Sequence, residues 1–204
     1  MSLPPGRAIL VNVPAQELMA FEDGAPVLRS RIIVGTPWNP TPLIDTYTTR
    51  VTFRPSWRPT PDMVESGEYV DHVRPPGLDN PLGLAAIRLE PELLIYLHDT
   101  NQRHLFGREA RALSHGCIRV QRWDELIAWL LDRDIAWVRQ MADTPLSQEV
   151  PAPRVPVLIR YLTVFPGEDG RALRHPDIYG LEVATPEPRV SGKDAETLAL
   201  ATCL

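Results

Sequence analysis

Apolar and polar residues alternate in the first part of the chain in the way that is typical of half-buried β-strands. Residues Ala8–Val13 alternate with a period of two, which predicts a strand that ends at Pro14. Two further apolar runs, Leu18–Glu22 and Val27–Val34, flank the turn-forming pair Asp23-Gly24. The pattern therefore predicts a β-hairpin near the start of the chain.

The next segment, from Gly35 to Gly83, is interrupted by nine prolines and contains one predicted strand, Thr48–Phe53. Ordered loops of this length are usually functional, and the aromatic residues within this one favour packing against the sheet. We expect it to form a flap that covers a substrate.

The second half of the chain combines strands with one predicted helix. An apolar run, Leu93–Leu97, predicts a buried strand that ends at His98, and Val155–Phe165 predicts another strand. Apolar residues recur with helical spacing over Trp123–Leu131, where Asp124 and Glu125 suit the first helical turn. The fold class predicted is mainly β (α+β): a curved sheet or sandwich, one main helix and long proline-rich loops. Residues 1–180 are predicted to form the domain, and residues 181–204 a C-terminal extension.

Composition and charge exclude several functional classes. The chain has 204 residues, 44% of them hydrophobic and 23% charged, which is ordinary for a folded domain. Its formal net charge of -5 argues against nucleic acid as a partner. The longest apolar run, Leu126–Leu131, is too short for a membrane span, and we recognise no secretion signal at the start.

The surroundings of one of the two cysteines favour chemistry. A thiol is a strong nucleophile only as the thiolate, which requires a nearby base or positive charge. Cys117 lies two residues after His115 and two before Arg119, and alternation in an extended segment would place all three on one face. Gly116 would let a substrate carbonyl approach backbone N–H groups that form an oxyanion hole. Cys203 has no such neighbours and is interpreted as incidental.

Two other interpretations of Cys117 stay open from the residues alone. An isolated cysteine is most often a small buried apolar residue, although polar neighbours are unusual for that role. A metal site formed by His98, His104, His115 and Cys117 is the other alternative, but the paired spacings typical of zinc sites are absent.

The spacing of His98 and the cysteine motif resembles a known family. Fifteen residues separate His98 from Ser114-His115-Gly116-Cys117-Ile118-Arg119, as in the L,D-transpeptidases of the YkuD type, which are bacterial cell-wall enzymes. Further stretches resemble the large YcbB-like subgroup: residues 31–35, 79–83, 96–100, 119–120 and 176–180. The resemblance as a whole covers roughly nine tenths of the chain. The subgroup often has a large capping insertion, whereas here a short segment separates Trp57 from Asn80.

The resemblance implies a function, a location and roles for particular residues. Cys117 would attack a tetrapeptide stem of peptidoglycan and release D-alanine, His98 would transfer protons, and His115 and Gly116 would complete the catalytic site. Arg119, Ser114 and Asp99 are predicted to bind substrate, since the stem carries free carboxylates and five arginines lie between residues 99 and 122.

A diaminopimelate amine would then resolve the thioester into a 3→3 cross-link, with no metal or organic cofactor, in the periplasm or cell envelope. The partners implied are peptidoglycan stem peptides. Two alternatives remain, an L,D-carboxypeptidase that uses water as acceptor and a non-catalytic peptidoglycan-binding module.

Overall fold

The structure, a computed structural model, describes residues 3–90, 95–167 and 169–182. Three α-helices and twelve strands are found among these residues, together with one 3₁₀ helix at Arg103–Gly107. The strands are β1 Arg7–Asn12, β2 Glu17–Glu22, β3 Ala25–Gly35, β4 Asp45–Phe53, β5 Ala85–Leu89, β6 Tyr96–His98, β7 Ala112–Ser114, β8 Ile118–Val120, β9 Gln148–Pro151, β10 Pro156–Arg160, β11 Val164–Pro166 and β12 Ala172–Arg174. The helices are α1 Pro61–Glu65, α2 Trp123–Leu131 and α3 Ile135–Asp143.

The main sheet curves until it closes on itself. The pairing runs β1–β2–β3–β8–β6–β5–β4, and β10 then joins the two ends by pairing in parallel with β1 and antiparallel with β4. The remaining members pair at the side, β9 with β4 and β7 with β3. The mainly β class and the curved sheet predicted from the sequence are confirmed, and closure explains how a short chain protects its strand edges.

The predicted hairpin lies where the sequence places it. β2 and β3 pair antiparallel from Glu17↔Arg31 to Glu22↔Ala25. Asp23 and Gly24, which connect the two strands, both have positive φ, at 49° and 82°. That conformation matches the twist of a two-residue hairpin loop, and it explains why glycine follows aspartate here.

The core lies between the inner face of the closed sheet and α2. The inward residues of β1, β3, β4 and β6 are almost completely buried, and one apolar side of α2 packs against them: Trp123, Leu126, Ile127 and Leu130. The predicted helix and the observed α2 have the same bounds. The helix thereby fixes the segment that immediately follows the cysteine motif.

Two features of the second half differ from the sequence prediction. A second helix of equal length, α3, follows α2, although only Val138 and Ala142 of its residues are buried. The predicted single strand Val155–Phe165 is instead two strands, because β10 belongs to the main sheet whereas β11 pairs with β12 in a separate ribbon. The strand predicted over Leu93–Leu97 lies partly, and the predicted C-terminal extension almost wholly, outside the described residues.

Truncating Leu126 to alanine is expected to lower the free energy of unfolding by about 2–5 kcal/mol, because this side chain is completely buried between α2 and the sheet. Urea unfolding followed by circular dichroism measures the change. The same substitution at Leu146, which is exposed, serves as the control and should change stability little. Equal losses in the two variants would contradict the packing described here.

Candidate active site

Strand register brings the predicted catalytic residues to one face of the sheet. β6 and β8 are parallel neighbours in which Leu97 pairs with Ile118 and His98 with Arg119. Leu97 and Ile118 point into the core, so the alternate residues on each strand point outward. Cys117, one residue ahead of β8, continues this register beside Tyr96. The thiol and the imidazole therefore open on the same cavity.

His98 is held as a neutral imidazole. Its ring is buried, and Nδ1 contacts the backbone carbonyl of Asp99. A carbonyl can only accept, so Nδ1 carries the hydrogen and Nε2 keeps the lone pair. Burial first, and then the positive charge of Arg119, lower the pKa of His98 from 6.5 to about 3 against the opposing effect of backbone hydrogen bonds. His98 is therefore neutral at pH 7, and in this resting state it is a weaker base than an ordinary imidazole.

The turn that presents Cys117 is held by short polar contacts. The Ser114 hydroxyl donates to the carbonyl of Cys117 at 2.6 Å and accepts from the Gly116 N–H at 3.2 Å. Gly116 has φ of +103°, a conformation that favours glycine, and its carbonyl accepts from the Thr41 hydroxyl at 2.9 Å. Tyr179 supports Thr41 from behind, since its hydroxyl accepts from the Thr41 N–H at 3.1 Å. A substrate oxygen that binds the Gly116 N–H would have to replace Ser114.

Cys117 lies in a setting that keeps it protonated until a base acts. Burial raises the pKa of the thiol, whereas a hydrogen bond with the backbone of Tyr96 and the charges of Arg119 and Arg88 act in the opposite direction. Because the pKa of His98 is lowered and that of Cys117 is raised, the resting pair is a neutral thiol and a neutral imidazole rather than an ion pair.

The rate of alkylation of Cys117 by iodoacetamide should therefore keep rising with pH after the rate of an ordinary thiol has levelled off, which happens about one pH unit above the pKa of that thiol. Mass spectrometry of the Cys203→Ser variant, in which Cys117 is the remaining cysteine, measures this rate. The same protein in denaturant provides the reference thiol. A plateau of the native rate below pH 8 would show a thiolate–imidazolium pair and contradict the assignment.

Asp99 supports His98 instead of facing the substrate. Its carboxylate is fully buried, accepts from the Leu84 N–H at 2.9 Å and pairs with Arg103 at 2.6 Å. Gly83, with φ of +63°, packs so closely on this carboxylate that a Cβ would come within 2.4 Å of an oxygen. The side chain predicted to bind substrate is thus occupied by the protein, and the backbone carbonyl provides the contact to His98.

The cavity above the thiol has a volume of about 410 Å³, which suits a small organic ligand. Residues of β5, β6 and β8 form one wall, and residues of the proline-rich segment 54–83 form the other. These residues are the second half of the segment predicted to form a flap, and we call them the cap. Its inner side carries Trp57 and Tyr69, whose rings meet edge to face at 5.2 Å, with Arg74 beside both.

This cap contacts the cysteine motif through His115. Nε2 of His115 lies 2.7 Å from a carboxylate oxygen of Glu68, and its ring meets Tyr69 edge to face. His115 itself is exposed and lines the cavity. His115 therefore joins the cap to the turn that holds Cys117. Of the two histidines that line the cavity, His98 is the buried one.

The five arginines between residues 99 and 122 have different surroundings: one lines the cavity, and others form contacts within the protein. Only Arg119 of the five lines the cavity, and it donates to the Gln102 side chain at 2.9 Å. Three others are engaged within the protein: Arg103 with Asp99, Arg111 with backbone carbonyls and Arg122 with Glu125. Sequence reasoning missed Arg88 and Arg58 in the cavity wall. Arg88 is recognisable only by its position on the same face as Ala86, which pairs with His98.

Neither a metal-binding cluster nor a membrane-spanning helix is found in the described ranges. Within them, no group of three or more His, Cys, Asp and Glu side chains is arranged to hold a metal ion. Helices long and apolar enough to cross a membrane are likewise not found in this part of the chain.

Comparison with known proteins identifies the family. The model of the YkuD family, described as the L,D-transpeptidase catalytic domain, matches residues 6–155. The chain belongs to this family. The L,D-transpeptidase match includes both His98 and the cysteine motif, and members of the family act on peptidoglycan peptides.

Individual proteins are similar to this chain in sequence or in fold. A curated Haemophilus influenzae protein that carries a provisional L,D-transpeptidase name is 30% identical over 86% of this chain. The match covers 45% of that protein, so this L,D-transpeptidase domain spans about half of its length. The solved catalytic domain of an Enterococcus faecium L,D-transpeptidase aligns with 78% of this chain and 100% of its own, at 18% identity and a TM-score of 0.51, which shows a shared fold. A Mycobacterium smegmatis L,D-transpeptidase aligns over 76% of this chain and 58% of its own, at 17% identity and a TM-score of 0.46.

Proposed function

We propose that this domain is a peptidoglycan L,D-transpeptidase in which Cys117 forms a thioester with a tetrapeptide stem. The observation that carries the proposal is the placement of His98 on β6 and of Cys117 one residue before β8, the parallel neighbour of β6, where both line one cavity. That cavity is lined by arginines and by no carboxylate among the described residues, which suits an anionic peptide.

Acylation follows from the protonation states of the pair. His98 Nε2 takes the thiol proton as Sγ attacks the carbonyl carbon of the third stem residue, and the sulfur–carbon bond forms. The amide bond to the terminal D-alanine then breaks, and the imidazolium gives its proton to the departing amine. Backbone N–H groups of the 115–117 turn would stabilise the oxyanion. Free D-alanine leaves, and the rest of the stem stays on Cys117.

Resolution of the thioester repeats these steps in reverse. The diaminopimelate side-chain amine of a second stem attacks the thioester carbon, His98 accepts the amine proton, and the carbon–sulfur bond breaks as Cys117 regains a proton. The product is a 3→3 cross-link. Such a substrate places the site of action in the periplasm or cell envelope.

An L,D-carboxypeptidase is the second candidate, since water in place of the amine would yield a tripeptide from the same thioester. The shortness of the cap favours this alternative, because a cavity less well covered admits water more readily. A non-catalytic peptidoglycan-binding module is the third candidate, which the presence of both His98 and Cys117 argues against.

Incubation with a disaccharide-tetrapeptide, followed by intact-protein mass spectrometry and separation of the muropeptides, tests the proposal. We expect an adduct equal to the stem minus D-alanine, with dimeric muropeptides and free D-alanine. Tripeptide without dimers would establish the carboxypeptidase instead. A folded protein that yields neither adduct nor turnover would overturn both enzymatic functions.

A further inference from the structure

Arg88 presents a cation to the cavity that the mechanism above does not use. It lies on β5 directly opposite Tyr96, and its guanidinium carbon is 4.2 Å from the centre of the Tyr96 ring. Its Nε is buried and has no hydrogen-bond partner among the residues that the structure describes. Leaving such a donor unsatisfied costs free energy, which a bound acceptor would recover.

Register places Arg88 in line with the nucleophile. Arg88 pairs with Tyr96, and Tyr96 is the neighbour of Cys117 on the next strand, so two strand spacings separate the Cα atoms of Arg88 and Cys117, or about 10 Å. The adjacent row of the sheet holds Ala86, His98 and Arg119. Arg88 and Arg119 consequently flank the thiol from different strands, and the charge of each lowers the pKa of Cys117.

The charge of the cavity is unusual for an acidic protein. The chain has a net charge of -5, yet the described residues that line the cavity include three arginines and no aspartate or glutamate. Arg58 is paired with Asp71 through two contacts of 2.8 Å. In the part of the chain that the structure describes, Arg88 and Arg119 take part in no ion pair. An anionic ligand would neutralise them.

We propose that Arg88, stacked on Tyr96, is a carboxylate-binding residue that holds a free carboxylate of the acyl-donor peptide while Cys117 attacks. The stacked ring fixes the guanidinium plane, so the fork can bind a carboxylate through two parallel hydrogen bonds. Arg119, two residues along the chain from Cys117, provides the second positive charge. This inference rests on the proposed function, because it names the group of the donor that the same site recognises.

The Arg88→Gln variant tests the proposal through steady-state kinetics of acylation. We expect KM for the tetrapeptide donor to rise about 10- to 100-fold, the loss typical of a charge-assisted hydrogen bond. Arg88→Lys, which keeps the charge without the fork, should recover part of the loss. An unchanged KM in Arg88→Gln would overturn the proposal, as would a loss confined to kcat.

Arg154→Gln is the matched control. Arg154 is also stacked on a tyrosine, Tyr47, but it is exposed and already paired with Glu90 at 2.9 Å. Its replacement removes an arginine–tyrosine stack of the same kind away from the cavity, so KM for the donor should not change. An equal rise of KM in both variants would show a general structural effect and overturn the assignment.

Amidated donors identify which carboxylate is bound. One donor is amidated at its terminal residue, and the other at the free carboxylate of the third residue. Amidation of the carboxylate that Arg88 binds should lower kcat/KM of the wild type by about the same factor as the Arg88→Gln substitution. The same amidation should not lower kcat/KM of Arg88→Gln any further. The proposal is wrong if each amidated donor lowers kcat/KM by the same factor in the wild type and in Arg88→Gln.

A probe that requires no turnover separates this proposal from the proposed function. N-acetyl-D-alanine, a simple carboxylate, should slow the alkylation of Cys117 by iodoacetamide in the wild type, and N-acetyl-D-alaninamide should not. The protection should be lost in Arg88→Gln and retained in Arg154→Gln. If protection is found although no acyl-enzyme forms from a tetrapeptide, the subsite stands and the transpeptidase assignment fails. Equal protection by acid and amide overturns the subsite.

Discussion

Replacing Cys117 with alanine is expected to abolish the thioester and to lower turnover of a tetrapeptide donor by about 10⁴-fold or more. The sulfur is the atom that forms the covalent bond, and no neighbouring side chain in the described cavity offers an equivalent nucleophile in the same position: the nearby Ser114 hydroxyl already donates to the Cys117 carbonyl at 2.6 Å. Intact-protein mass spectrometry and D-alanine release measure the two losses.

The variant should fold normally, because Cys117 is a small, partly buried residue at the cavity wall. Matching circular dichroism spectra and melting temperatures establish this. Cys203→Ser is the control, since Cys203 is interpreted as incidental, and its adduct and turnover should equal those of the wild type. Residual adduct in Cys117→Ala would assign the nucleophile to another residue.

Replacing His98 with glutamine is expected to lower acylation by about 10²- to 10⁴-fold, the usual contribution of a positioned general base. Glutamine can still donate to the Asp99 carbonyl, so the loss isolates the proton transfer from the packing. Single-turnover measurement of the adduct follows the effect. Because the thiol then has no internal base, the residual rate should increase with pH as hydroxide removes the proton. A variant with the wild-type rate at pH 7 would contradict the role of His98.

The same residue should make the folded protein sensitive to acid. The pKa of His98 is about 3 in the folded state and 6.5 ordinarily, so between these values the unfolded chain binds a proton that the folded chain does not. Above pH 6.5, His98 does not change the free energy of unfolding. As the pH drops below 6.5, His98 lowers the free energy of unfolding by up to about 1.4 kcal/mol per pH unit.

Urea unfolding at several pH values measures this slope. His98→Gln should show a shallower decline between pH 6.5 and pH 4 than the wild type, whereas His72→Gln, at an exposed position, should retain the wild-type slope. Identical slopes in the wild type and His98→Gln would show that His98 is not held neutral by burial.

The first three strands and the amphipathic helix could be predicted from the sequence, because apolar residues concentrate in each of them and turn-forming residues separate the strands. β1, β2, β3 and α2 are of this kind, and their predicted bounds differ little from those observed. α3 was missed because it buries only Val138 and Ala142, a pair four residues apart that is too short a pattern to indicate a helix. Closure of the sheet depends on which strands become neighbours, and local patterns do not contain that information.

The cysteine motif and His98 could be predicted because their spacing resembles a known family. Their surroundings could not, since those depend on contacts between distant segments. Asp99 was predicted to bind substrate, but Arg103 and the Leu84 N–H occupy its carboxylate. Conversely, Arg88 is far from the motif in sequence, and only strand pairing brings it to the cavity.

Closure of the sheet by β10 affects where the domain can be cut. The family match ends at residue 155, one residue before Pro156, where β10 begins. A fragment trimmed to the matched region would lack the strand that joins β1 to β4, and the backbone N–H and C=O groups along both would be left without partners. During synthesis on the ribosome the same condition holds until residue 160 has emerged, so the sheet can close only after most of the chain has been made.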